Sequence, residues 1–213
     1  MAYDLEEQES LDQLKAWWEK WGTLTMSVIT AGCLAFAAYN GWNWYQRYQG
    51  NKATVAYVQL QTAYVQDDEK NIKSLADGLM KEYPGHVFAS LAALMKASSD
   101  QKAGRIDDAR AALNWVINDA KRPEYDAVAR VRLAGLELDA KNPQKAMEVL
   151  KGVAASEANA PMVLDRLGDV HFALGEVENA RQVWNKAMAA DANDGYLLAL
   201  ISLKLQALPD PKI

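Results

Sequence analysis

Few side chains in this chain could carry out chemistry. The histidines His86 and His171 sit in separate segments, and neither has a second ligand at i+3 or i+4 to complete a metal pair. The single cysteine, Cys33, lies in an apolar stretch, so the rest of the chain can form no disulfide and no thiolate metal site. Ser99-Asp-Gln-Lys102 fits a Ser-x-x-Lys spacing but falls at a helix end and the turn after it, without the accompanying motifs, and reads as coincidence. There is no phosphate loop, dinucleotide fingerprint or Gly-x-Ser-x-Gly. The expectation is a chain that is not an enzyme, with no catalytic, cofactor-binding or metal residues and no small-molecule substrate. What is left is recognition. Arg130 and Arg132 on one helix, and Asp165, Arg166 and Asp169 on another, are candidate partner-binding residues, set against the blander reading of solvated surface with local ion pairs.

Those charges need helices to position them. Beyond Gln49, apolar residues recur at three and four and no long run alternates with period two, which predicts an all-α body. Breaks at Asp67-Asp68, Pro84-Gly85, Gly104, Pro123, Asn142-Pro143, Pro161, Gly175 and Asn193-Asp194 cut it into short helices. Residues 161–194 carry Leu167-Gly168, His171, Gly175, Ala180, Trp184 and Ala187, similar to the tetratricopeptide pattern. Gly168 and Ala180 are expected where the two helices of a pair cross, Trp184 between adjacent pairs, and Gly175 in the tight turn. Residues 127–160 repeat this at a spacing of about 34 with Leu133-Ala134, Ala146, Leu150 and Val153. A third unit at 90–123, after a short insertion, has Ala97, Gly104, Ala109, Leu113 and Val116. A degenerate pair is expected over 52–84, with Tyr57, Leu60, Ala63, Tyr64, Leu75, Leu79 and Tyr83, and a capping helix over 194–207. His171 stands where an aromatic is usual and is expected to pack, Glu137 is similarly atypical, and Ala158 and Ala192 replace the proline that commonly ends a unit. His86 is expected to be exposed at a helix start.

Upstream, Gly22 to Gln46 holds no charged residue, long enough for a bilayer crossing. Trp17, Trp18 and Trp21 flank it on one side and Trp42, Trp44, Tyr45 and Tyr48 on the other, as interfacial belts would. A soluble core helix would not place its tryptophans so, and a cleaved signal peptide would have a basic rather than an acidic start. The expected domains are an acidic tail over 1–21, a transmembrane helix over 22–45 and a tetratricopeptide-like solenoid over 50–213. Ser10 and Gln13 fit a capping box for an amphipathic helix that lies at the interface or extends the span. Ser27, Ala31, Gly32 and Ala35 form a small-residue face suited to helix packing in lipid, although such residues are common in membrane helices. Lys15 and Lys20 before the span balance Arg47 and Lys52 after it, so charge leaves orientation open.

The formal net charge is -5, and the tail before the span, with Asp4, Glu6, Glu7, Glu9, Asp12 and Glu19, concentrates acid. The remainder is near neutral, which excludes a nucleic-acid surface.

An acidic tail, one Trp-rich anchor and a small tetratricopeptide body, with its Leu167–Ala187 repeat, together resemble the YfgM family of ancillary SecYEG translocon subunits along the whole chain. The resemblance implies a single-pass inner-membrane protein with a cytoplasmic N-terminus and a periplasmic solenoid. It implies association with SecYEG, hand-off of translocated chains to periplasmic chaperones, PpiD foremost, and a restraining role on the RcsB stress response. The alternative is a scaffold for assembly of another cell-envelope complex.

Overall fold

The computed structural model describes the backbone of residues 2–191 and 194–209, and the side chains of 9–191, except Gln46, and of 194–209. The acids Asp4, Glu6 and Glu7, and the Ala192-Asn193 repeat end, lie outside the described side chains. The described residues form helices and turns without strands. The chain divides into two units, Met1–Asn51 and Lys52–Ile213.

The first unit is drawn from helix α1 (Ala2–Val65), whose apolar stretch is almost entirely exposed. By length and composition α1 can cross a membrane. In the first unit its large apolar side chains stay outside, Leu24 at 58% and Phe36 at 71% exposure. Polar side chains within the stretch satisfy themselves locally. Ser27 donates to the Thr23 carbonyl at 2.8 Å, Thr30 to Met26 at 2.8 Å and Asn40 to Phe36 at 2.9 Å. Such back-bonding removes the cost of a bare polar group in hydrocarbon. Ser10 lies inside α1 rather than at its N-cap, because the helix starts upstream; of the two readings of the tail, the structure has the continuous helix.

The second unit consists of helical hairpins stacked in sequence. The end of α1 pairs with α2 (Glu69–Glu82), α3 (Val87–Lys102) with α4 (Ile106–Asn118), α5 (Asp126–Asp139) with α6 (Pro143–Lys151), and α7 (Pro161–Ala173) with α8 (Val177–Ala190); α9 (Gly195–Gln206) follows. Local signals start the helices. Asp68 caps α2 by accepting from the Asn71 amide at 3.1 Å, prolines open α6 and α7, and Asp194 caps α9. Asp67, Gly104, Lys141 and Gly175, all at positive φ, recur at the hairpin turns. Glycine adopts that conformation without a Cβ penalty, so Asp67 and Lys141 carry mild strain.

The repeat-packing residues occupy the core. Leu60, Ala63 and Leu79 are buried in the first hairpin, Ala97, Ala109, Leu113 and Val116 in the second, Leu133, Ala134, Ala146 and Leu150 in the third, and Ala180, Trp184 and Ala187 in the fourth. Leu167 packs beside Ala146 and Leu150, partly buried. Trp184 lies against Gly168 of its own hairpin, where a Cβ would come within 2.8 Å of ring atom Cε2 and closer still to Nε1 and Cδ1, and it also reaches the capping helix that follows. Its Nε1 donates to the Asp165 carbonyl at 3.1 Å, and the ring joins Ile201 and Leu208 in the last core cluster. The missing glycine side chain thus admits an indole, which the alanine crossing alone could not explain.

The two positions atypical for an aromatic, Glu137 and His171, share one device with Asp100 at the α3–α4 turn. Asp100, Glu137 and His171 each bond a side chain five residues on, across the turn: Arg105 at 2.9 Å, Asn142 at 3.4 Å and Glu176 at 2.6 Å. At each turn the amide of the later residue also donates to the carbonyl of the earlier one, at 2.8, 2.8 and 2.9 Å. Two of these clamps reach the preceding hairpin, Arg105 to Glu69 at 2.6 Å and Glu137 to Arg110 at 2.7 Å. His171 therefore works as a turn clamp, not as a core residue. The half-buried His86 caps α3, accepting from the Phe88 amide at 3.3 Å, and is not the exposed residue expected from its position.

Candidate functional site

The first helices of the hairpins build a groove. Tyr57 and Tyr64 reach it from α1, Leu91, Met95, Ser98 and Gln101 from α3, and Arg132 from α5, around a cavity of about 330 Å³. Period 3.6 puts Leu91, Met95 and Ser98 on one face of α3, while the opposite face, with Ala89, Ala93 and Ala97, enters the core. The groove is amphipathic. The Tyr64 hydroxyl and Ser98 Oγ are 2.9 Å apart, so one proton joins them and the other is left to donate outward. Gln101 Nε2 donates to Asp139 at 3.4 Å, and the Lys102 ammonium lies 5.2 Å over the Tyr64 ring. The exposed Arg132 spends one N–H on the Leu94 carbonyl at 3.3 Å.

The structure scatters the charged residues expected to bind partners. Arg132 alone lines this groove. Arg130 donates to Asp126 at 2.7 Å and to the Val149 carbonyl at 3.4 Å, its head filling the space that a side chain on Gly152 would need. It edges a second cavity of about 640 Å³ between α4 and the α6–α7 connection. Asp165, Arg166 and Asp169 come together around Lys204 of α9. The Lys204 ammonium is 2.6 Å from Asp165 and 2.7 Å from Asp169, and Arg166 is 3.1 Å from Asp169. Burial pushes the Asp169 carboxyl above its usual range, opposed by its bond to Lys204. These charges hold the capping helix to the last hairpin. The Ser27, Ala31, Gly32 and Ala35 face lies on the exposed surface of α1, with nothing within 4 Å of where a Gly32 side chain would be.

Sequence reasoning missed the tyrosines, Met95, Ser98 and Gln101 as groove residues. The available signal was the hydroxyl of Tyr57 and Tyr64, which a purely apolar packing site has no use for. It also missed Lys204, the only cation on an otherwise apolar helix. Ser99 is buried while Lys102 is exposed and pairs with Asp67 at 3.8 Å, so the Ser-x-x-Lys tetrad assembles no nucleophile–base pair. Among the described residues no group of three His, Cys, Asp or Glu is placed to hold a metal ion.

Comparison with known proteins covers nearly the whole chain. The family model for the tetratricopeptide repeat-like domain matches residues 15–210. An ancillary SecYEG translocon subunit of Neisseria gonorrhoeae is 26% identical over 209 residues, which cover 98% of this chain and 100% of that one. A protein of the same name from Haemophilus influenzae is 25% identical, covering 95% of this chain and 98% of that one. Among solved structures, the first tetratricopeptide domain of Spaghetti bound to an HSP90 peptide superposes with a TM-score of 0.45 at 20% identity, over 59% of this chain and 99% of that one.

Proposed function

The chain belongs to the tetratricopeptide repeat-like domain family and resembles the YfgM proteins end to end, and from that premise we propose that it is an ancillary subunit of the SecYEG translocon, a membrane-held adaptor without catalysis. The carrying observation is that the likeness to ancillary SecYEG translocon subunits runs through anchor and solenoid alike, at full length of the Neisseria relative. In this reading residues 1–21 are a cytoplasmic tail, 22–45 cross the inner membrane once, and 50–213 stand in the periplasm. The Ser27, Ala31, Gly32 and Ala35 face packs on a membrane helix of the translocon, since small side chains let helices approach closely in lipid. The solenoid passes emerging chains to periplasmic chaperones, PpiD foremost, and through that traffic restrains the RcsB stress response. The groove on α1, α3 and α5 is the receptor surface, as the first helices are in solenoids of stacked helix pairs.

The test is recovery of the intact protein from detergent-solubilised membranes with its partners. SecYEG is expected in the eluate, with crosslinks from probes placed at Ala31 or Ala35. An eluate containing another envelope complex and no translocon would instead support the scaffold for envelope assembly.

A further inference from the structure

Polar ties join neighbouring parts of the solenoid at every junction but one. Arg105 of the second hairpin reaches Glu69 of the first at 2.6 Å, and Lys96 reaches Asp77 at 3.3 Å. Arg110 of the second hairpin reaches Glu137 of the third at 2.7 Å, and Gln101 reaches Asp139 at 3.4 Å. The cap is tied to the fourth hairpin by Lys204 on Asp165 and Asp169, and by Arg181, which donates to the Pro209 carbonyl at 2.6 Å. Between the third and fourth hairpins the described residues make no hydrogen bond or ion pair. That junction is apolar: Leu167, Val170 and Leu174 cluster with Ala146 and Leu150, and Val163 with Ala127 and Val153. Arg166 lies over Gly135 of α5, yet its Nε is buried without a partner.

The chain that joins these two hairpins is also built differently. Helix α6 has only 9 residues, and the connection after it, 152–160, is the longest helix-free stretch between helices of the solenoid. Its hydrogen bonds are local, from the Glu157 amide to the Ala154 carbonyl and from the Ala160 amide to the Glu157 carbonyl, both at 2.9 Å. The corresponding connection before α5 is anchored instead, by Arg122 donating to the Gly85 carbonyl at 2.9 Å. Gly152, Ala154, Ser156 and Glu157 form one wall of the cavity of about 640 Å³ beside α4, so the segment has open space on one side. A charge-assisted bond fixes distance and direction, whereas apolar packing has no direction and lets helices slide. We infer that residues 152–160 are a hinge, about which the fourth hairpin, with the cap tied to it, turns against the first three. Such a joint changes the curvature of the solenoid without disturbing the packing inside either part.

The experiment measures spin-label distances by double electron–electron resonance in the full-length protein in detergent, with Cys33→Ser so that no native thiol is labelled. Lys73→Cys paired with Lys145→Cys spans two tied junctions. Ala111→Cys paired with Lys186→Cys spans one tied junction and the apolar one, and all four positions are exposed. The second pair is expected to give a distance distribution about twice as broad as the first, as a hinge between two stiff parts would. Glu137→Gln, which cuts the charge pairing between the second and third hairpins, is expected to broaden the first pair toward the second. Arg110→Gln makes the same cut from the other side, and circular dichroism melts show which variant is folded at the temperature of labelling. Equal widths for the two pairs in the otherwise unaltered protein overturn the inference. So does a first pair whose width is unmoved in a folded Glu137→Gln or Arg110→Gln variant, because polar ties would then not be what stiffens the other junctions.

Discussion

The two units of this chain use the same apolar side chains in opposite ways. In Met1–Asn51 they stay on the outside of a single helix, with Leu34 at 67% exposure and Phe36 at 71%. In Lys52–Ile213 Leu60, Ile72, Leu113 and Ile201 are almost wholly removed from solvent by neighbouring helices. A lone helix has no second surface on which to bury its side chains, and its length and composition are those that a hydrocarbon solvent would suit. The solenoid supplies its own, hairpin on hairpin. Polar groups follow the same division. In α1, Ser27, Thr30 and Asn40 bond the turn below, while in the solenoid Asp100, Glu137 and His171 bond across turns and into neighbouring hairpins.

The sharpest way to break the contrast is to empty the solenoid core. Trp184→Ala removes the indole that fills the Gly168 notch and touches the capping cluster, and is expected to cost about 3–5 kcal/mol, read as a fall in melting temperature of the detergent-held protein. The mirror experiment charges the outer surface of α1. Ala31→Arg is expected to cost about 2.5–3.5 kcal/mol of membrane insertion, read as a lower fraction resisting alkaline extraction, while the thermal melt of the solenoid does not change. A melt that moves with Ala31→Arg would show that the two units do not live by separate rules.

Smaller effects sharpen the picture within the solenoid. Gly168→Val places a side chain inside the Trp184 ring and is expected to cost about 1–3 kcal/mol by overpacking. An unchanged melting temperature would mean that the indole can leave without loss. The smallest effect is in pH. Burial, then the nearby Arg122 charge, holds the His86 imidazole below its ordinary value of 6.5. The unfolded chain therefore binds this proton more readily than the folded one. The stability contribution is complete above 6.5 and is lost as pH falls through that value toward the depressed folded one. His86→Asn, which keeps a capping acceptor for the Phe88 amide, is expected to flatten the fall in melting temperature over that window; an identical slope would remove His86 from the account.

Much of this architecture was written in side-chain order. A charge-free stretch bounded by tryptophans defines a helix suited to lipid, because the bilayer is a solvent of known thickness. Leu133, Ala146, Leu167, Gly168, Ala180 and Ala187 marked the packing of successive hairpins, since close helix crossings admit only small or well-fitted side chains. The turns at Gly104 and Gly175 were equally plain, whereas Asp67 and Lys141 adopt the same backbone with no glycine to announce it.

Partnership between distant charges was not written there. Asp165 and Asp169 read in the sequence as candidate partner-binding residues, with nothing to announce that Lys204 of the capping helix pairs with both, and Arg130 and Arg132, two positions apart, go to different surroundings. Sequence determines periodicity, and periodicity decides which face of a helix meets apolar neighbours, because burial acts on every residue of the stripe at once. Where acid and base stand far apart in the chain, their pairing depends on single contacts a few ångströms long, and only the stacked hairpins, once formed, decide that Asp165 meets Lys204.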